Sequence, residues 1–169
     1  MAITKLEQMF DLLKSKPKKR ISVAFANDAH TIEAVYAAVE KGIVDATLTG
    51  DEAFIKKICA EHNMDASKME ILHEPAELKA ASLAVQLINE KKADLLMKGS
   101  LSTDKYMRAI LNKTTGITNE GAVLSHVSIM EFPSYHKLHT IVDVAIIPAT
   151  EMNQKIKMID YLDGVSKAI

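Results

Sequence analysis

The segment Lys98-Gly99-Ser100-Leu101-Ser102-Thr103 puts a cation and a glycine beside the hydroxyls of Ser100, Ser102 and Thr103. These groups suit an anion: the glycine permits close backbone approach, the hydroxyls donate, and the ammonium supplies charge. The lysine precedes the glycine and the spacing is not that of a P-loop, so the segment reads either as a phosphate-contacting turn of another kind or as a capped turn with no ligand. Other polar clusters are Asn27-Asp28-Ala29-His30, Thr49-Gly50-Asp51-Glu52 and His73-Glu74. His126 follows Ser125 and reads as a general base or as a structural strand histidine. His30, His62, His73, His136 and His139 have no regular ligand spacing, so no metal site is expected. Cys59 shares a helical face with Ile55 and Ile58, which makes it a small buried hydrophobe rather than a nucleophile.

Strand and helix patterns surround these clusters in alternation. Leu6, Met9, Phe10 and Leu13 recur at helical spacing before Pro17. Ile21–Ala26 is an apolar run that suits a strand buried on both faces. Thr31 or Asp28 can cap a helix running to about Lys41, with Gly42 as its stop. Asp45–Thr49 reads as a second strand, followed by a helix bearing Phe54, Ile55, Ile58 and Cys59. Met69–Leu72 is a third strand, Pro75 opens a helix reaching about Lys91, and Ala93–Met97 is a fourth strand leading into Lys98. This rhythm predicts a doubly wound, mostly parallel sheet in a three-layer αβα arrangement. In such sheets ligands bind beyond the carboxyl ends of the strands, next to helix N-termini, and every polar cluster named above falls on that edge.

After a helix from about Ser102 to Asn112 the pattern changes. Gly116–Gly121 is loop-like, and Ala122–Glu131 and Leu138–Val142 are strands joined by so short a link that an antiparallel pair is expected. A last helix starts near Glu151. The expected organisation is a strand-helix repeat domain over 1–121 and the start of a second lobe over 122–169.

The 169 residues are 48% hydrophobic and 25% charged, as in ordinary globular proteins. With 21 basic and 22 acidic side chains there is almost no net field, which argues against general nucleic-acid or acidic-membrane binding. One cysteine excludes an internal disulfide and suits a reducing cytoplasm. The start is amphipathic and carries Glu7 and Asp11, unlike a secretion signal, and no run of about 18 apolar residues occurs, so a cytoplasmic location is expected. The nine methionines read as core filler.

The stretches MKGSLSTDKYMRAILNKTTGI and GAVLSHVSIMEFPSYHKL, the turn at Asp143, the upstream AVEKGIVDATLTGDE and the final EMNQKIKMI occur in one order. Together they resemble the phosphate acetyl/butyryl transferase family, nearest to its butyryl members, over essentially the whole chain. The resemblance implies a fold like that of isocitrate and isopropylmalate dehydrogenases, in a homo-oligomer with its active site between two domains. It implies the reversible conversion of acyl-CoA and phosphate to acyl phosphate and CoA, with CoA as a substrate and no permanently bound cofactor or metal. The acyl group is then butyryl, with acetyl as the alternative. For that reaction the candidate substrate contacts are Lys98, Gly99, Ser100, Thr103, Ser125 and His126, by residue type, with Arg108 and Asp143, which by the resemblance match an arginine linked to CoA and an aspartate near the substrate. Family members are about twice as long, and a C-terminal half absent here supplies a serine, an arginine and an aspartate implicated in catalysis. The asparagine usual a few residues after the family's aspartate has no counterpart in Asp143-Val144-Ala145-Ile146-Ile147-Pro148. A catalytically incomplete CoA-binding or interaction module is therefore a further alternative. Unpaired strands in the second lobe would leave apolar groups facing water, which predicts dimers, larger species or association with a separate second half.

Overall fold

The computed structural model describes residues 3–119 and 121–168; Glu120, in the stretch expected as loop, lies outside them. The chain divides into two compact units, Pro17–Asn119 and, separately, Met1–Lys16 with Glu120–Ile169.

The first unit is the strand-helix repeat. Strands β1 (Lys19–Ala24), β2 (Val44–Gly50), β3 (Glu70–His73) and β4 (Leu95–Lys98) form a parallel sheet in the order β3-β2-β1-β4. The chain moves outward from β1 through β2 to β3, then returns to the far side of β1. The topological switch point therefore lies between the carboxyl ends of β1 and β4, where open α/β sheets hold ligands.

Neighbouring residues of a strand face opposite ways, and β1 uses both faces. Val23 joins Leu48, Ile32, Val35, Ile55 and Cys59 in a core beneath helices α2 (Ala29–Glu40) and α3 (Glu52–Glu61). Ala24 packs on the other face with Ala81, Ala84 and Leu101, beneath α4 (Glu77–Asn89) and α5 (Thr103–Ile110). The small side chains of α4 bring it close enough for sheet hydroxyls to reach its carbonyls. Ser22 Oγ donates to Ala84 O at 3.1 Å and Thr49 Oγ1 to Ala80 O at 2.9 Å, so these buried hydroxyls are satisfied. Cys59 is 1% exposed, and burial, aided by the charge of Asp65, pushes its thiol pKa up. It is a core residue.

The helix expected to reach Asn112 stops at Ile110. The Asn112 side chain instead accepts the N–H groups of Thr114 and Thr115 at 2.9 and 3.0 Å, closing a turn in place of another helical step.

In the second unit β5 (Val127–Met130) and β6 (His139–Val142) pair antiparallel, and α6 is Met152–Ala168. Residues 122–126, expected as strand, carry no ladder, because β6 supplies partners only for Val127–Met130. Helix α1 (Leu6–Lys14) belongs to this unit and not with the repeats. Leu6 N–H donates to Glu131 Oε2 at 2.8 Å, and Lys5 Nζ lies 2.9 Å from Glu131 Oε1. Met69 and Met158 are core residues, whereas Met152 is 71% exposed and so departs from the expected core role. Among the described residues no helix is long and apolar enough to cross a membrane.

Candidate functional site

At the switch point the chain leaving β1 and the chain leaving β4 are bound to one another. Gly99 N–H donates to Ala24 O and Ser100 N–H to Phe25 O, both at 2.9 Å. Ser100 Oγ also donates to Phe25 O at 3.2 Å. Phe25 takes φ +58°, unusual for a bulky side chain, and its N–H is held by Thr49 Oγ1 at 3.2 Å. A Cβ on Gly99 would stand 2.2 Å from Phe25 O and 2.7 Å from Ala24 O. The close approach that the glycine permits is to the backbone of the neighbouring strand.

The helix ends along this edge differ in charge. Asp28 accepts Thr31 N–H at the start of α2, and Asp51 accepts Ala53 and Phe54 N–H at the start of α3. Glu77 lies in the first turn of α4, where Glu74 accepts Ala76 N–H at 3.0 Å. Carboxylates therefore stand at the starts of α2, α3 and α4, which disfavours anions there; α5 also has an acid in its first turn, Asp104, but that one is paired with Arg108. The N-cap of α5 is the neutral hydroxyl of Ser102, accepting Lys105 N–H at 3.4 Å. Thr103 and Asp104 N–H in the first turn of α5 have no acceptor among the described residues. Lys98 and Thr103 are exposed beside them, and Lys98 makes no ion pair among the described residues. Arg108 follows on the same helix, its Nε 3.0 Å from Asp104 Oδ2, with the two side chains 76% and 68% exposed. Lys98, Gly99, Ser100, Thr103 and Arg108 therefore lie on one continuous segment of the repeat unit.

Ser125, His126 and Asp143 lie in the second unit. Ser125 Oγ donates to Asp143 Oδ2 at 3.2 Å, a pairing that the sequence does not announce. The other donors to Asp143 are Ala145 and Ile146 N–H at 2.7 and 2.9 Å and Ile147 N–H at 3.1 Å. Partial burial pushes the Asp143 carboxyl up, but the backbone donors and Ser125 together outweigh it and hold the group below its ordinary value. Asp143 also lines a cleft of about 390 Å³ with Val142, Ile147, Pro148, Lys155 and Met158. His126 is exposed, its Nδ1 3.4 Å from Ser128 Oγ; the neighbour is a hydroxyl, not a carboxylate that would orient a general base. Among the described residues no group of three or more His, Cys, Asp or Glu is placed to hold a metal ion.

The Asp143 contacts have a pH consequence. A folded-state pKa below the unfolded value, about 3.9, means that the unfolded chain binds the proton more tightly. The contribution is present above that value and is lost as pH falls through the folded one. As pH falls below about 4, unfolding midpoints should fall more steeply for wild type than for Asp143→Asn, so that the gap between the two curves narrows; parallel curves would show the carboxylate to be uncoupled from folding.

Sequence reading missed Glu77. Its Oε1 accepts Ser102 N–H at 3.3 Å, and its Oε2 is ion-paired with Lys105 Nζ. The hydrogen bond from Lys105 is the main cause of a carboxyl pKa below the ordinary value. Glu77 stands 25 residues before Ser102, and no local pattern links them.

The family described as phosphate acetyl/butaryl transferase matches residues 51–160. The chain is 38% identical over 157 residues to phosphate butyryltransferase of Clostridium acetobutylicum, covering 93% of this chain and 52% of that protein. It is 33% identical over 164 residues to phosphate acetyltransferase of Thermotoga maritima, covering 97% and 55%. Its fold is similar to the crystal structure of a branched-chain phosphotransacylase from Enterococcus faecalis, with TM-score 0.72, 20% identity, and coverage of 88% of this chain and 51% of that one. The chain spans about half the length of the curated relatives it matches.

Proposed function

The chain belongs to the phosphate acetyl/butyryl transferase family, and from that premise we propose that it serves the transfer of an acyl group, butyryl in the first instance, between CoA and phosphate. A phosphate oxygen attacks the thioester carbonyl, the C–O bond forms, the C–S bond breaks, and the thiolate leaves as CoA. The observation carrying this reading is the segment Lys98–Arg108 at the switch point, with a helix start whose N-cap side chain is a neutral hydroxyl, whose two nearby carboxylates, Glu77 and Asp104, are paired with Lys105 and Arg108, and beside which Lys98 stands without an ion pair among the described residues. In this reading Lys98, Ser100 and Thr103 bind phosphate groups, with Gly99 setting the path of their backbone and Arg108 pairing with a CoA phosphate. Ser125, His126 and Asp143 form a second set of substrate contacts, Asp143 fixing the Ser125 hydroxyl. Butyryl is taken first from the 38% identity to a butyryltransferase, and acetyl is the alternative, at 33% to an acetyltransferase. The reading includes the isocitrate/isopropylmalate dehydrogenase-like fold and a cytoplasmic location, with CoA as substrate and no resident cofactor.

The half-length match favours a second reading, a chain that binds CoA but needs further residues for turnover. Release of free thiol from butyryl-CoA and phosphate separates the two: thiol release by the purified chain supports the first, CoA binding without release supports the second, and absence of both contradicts the site.

Association with another polypeptide belongs to the same proposal. Helix α6 turns Gln154, Met158, Tyr161, Leu162 and Val165 inward, while Met152, Ile156 and Ile159 make a separate stripe, 71, 52 and 63% exposed. A helix with apolar stripes on two sides is suited to burial on both. Sedimentation at micromolar concentration should show dimers or larger species, shifted toward monomer by Ile156→Glu; a stable wild-type monomer would contradict self-association.

A further inference from the structure

We propose that Glu77 is a positioning residue that sets the start of α5 for anion binding, an inference that rests on the ligand-binding reading of Lys98–Arg108. The inner part of that segment is fixed by β1: Gly99 and Ser100 N–H are bound to Ala24 and Phe25 carbonyls, and Leu101 is 1% exposed in the core under α4. The outer part has no sheet to hold it. Beyond Leu101 the chain must turn into α5 so that Thr103 and Asp104 N–H point outward, and the angle of that turn decides where a bound phosphate would sit. Glu77 governs the angle. One carboxylate oxygen takes Ser102 N–H, at the N-cap, and the other takes the Lys105 ammonium one turn on. A rigid carboxylate holding two points of α5 fixes both position and rotation of the helix start, as one contact could not.

Glu77 also leaves the anion-facing groups free. It engages Ser102 N–H and not the N–H groups of Thr103 and Asp104, and its charge is balanced by Lys105, so Lys98 keeps its field toward a ligand. Tyr106 supplies the other anchor of α5, its hydroxyl donating to Leu96 O at 3.1 Å, and holds the body of the helix to β4 when Glu77 is changed. Loss of Glu77 should therefore loosen the helix start without unfolding the unit.

The test compares wild type, Glu77→Gln and Glu77→Ala by calorimetry with CoA and with inorganic phosphate, by thermal midpoint, and by amide exchange at Ser102–Asp104. Glutamine keeps an acceptor for Ser102 N–H and loses the ion pair; alanine loses both. We expect CoA affinity to fall by about tenfold in Glu77→Ala and by less in Glu77→Gln, since a displaced set of donors loses much of its ligand hydrogen bonding. Exchange at Ser102–Asp104 should quicken in the same order, with similar midpoints for the three proteins. Unchanged affinity in Glu77→Ala, or equal losses in both variants, would overturn the positioning role while wild-type binding keeps the site. Wild type that binds neither CoA nor phosphate would overturn the reading of the segment itself, and this inference with it.

Discussion

Gly99→Ala is expected to destabilise the repeat unit by about 3 kcal/mol, at the upper end of ordinary overpacking costs, and to lower its thermal midpoint by roughly 12 to 24 °C. The nearest atoms to the added methyl are Phe25 O, Ala24 O and Phe25 C, at 2.2, 2.7 and 2.7 Å, and all are backbone. No side chain can rotate away. Relief requires the chain leaving β4 to retreat from β1, which breaks the hydrogen bonds from Gly99 and Ser100 N–H and lifts Leu101 from the core. Because the same retreat moves the proposed binding segment, CoA affinity should fall with stability. Gly164→Ala is the control: nothing lies within 4 Å of its added methyl, and a helical alanine in place of glycine should stabilise by up to about 1 kcal/mol. A Gly99→Ala protein within about 0.5 kcal/mol of wild type would show that the two strand exits are not locked as described.

Arg108→Ala is expected to weaken CoA binding by roughly ten- to a hundredfold with almost no change in midpoint. The affinity estimate follows from the about 1.5 to 3 kcal/mol carried by a hydrogen bond to a charged group, with Arg108→Lys losing less because charge persists without the planar fork. The stability estimate follows from the solvent exposure of both partners in its pair with Asp104, since surface pairs contribute little. Calorimetry with CoA and a melting curve on the three proteins decide it. Unchanged affinity would remove Arg108 from the site.

The features that could be read in advance are those written locally. Apolar residues on both faces marked β1 as a central strand, and Asp28, Asp51 and Ser102 stand at helix starts because their side chains can take N–H groups two or three residues on. The alternation of strand and helix sufficed for a mostly parallel sheet, and hence for the edge where Lys98–Thr103 lies. Contacts set by packing between distant segments were not legible. Gly99 invites a ligand reading in sequence, and only the β1 carbonyls next to it reveal why alanine does not fit. Glu77 is an unremarkable helix-start acid until α4 lies against α5. The grouping of α1 with the second unit depends on Glu131, more than a hundred residues away. Ala122–His126 read as part of a strand in sequence, but no partner strand among the described residues reaches them.

Amide exchange of the wild-type chain with and without saturating CoA bears on the whole reading, because it reports where the ligand sits as well as whether it binds. Protection should concentrate in Gly99–Arg108, strongest at Thr103 and Asp104, whose N–H groups have no acceptor among the described residues. A folded chain whose exchange over that segment is the same with and without CoA would contradict it.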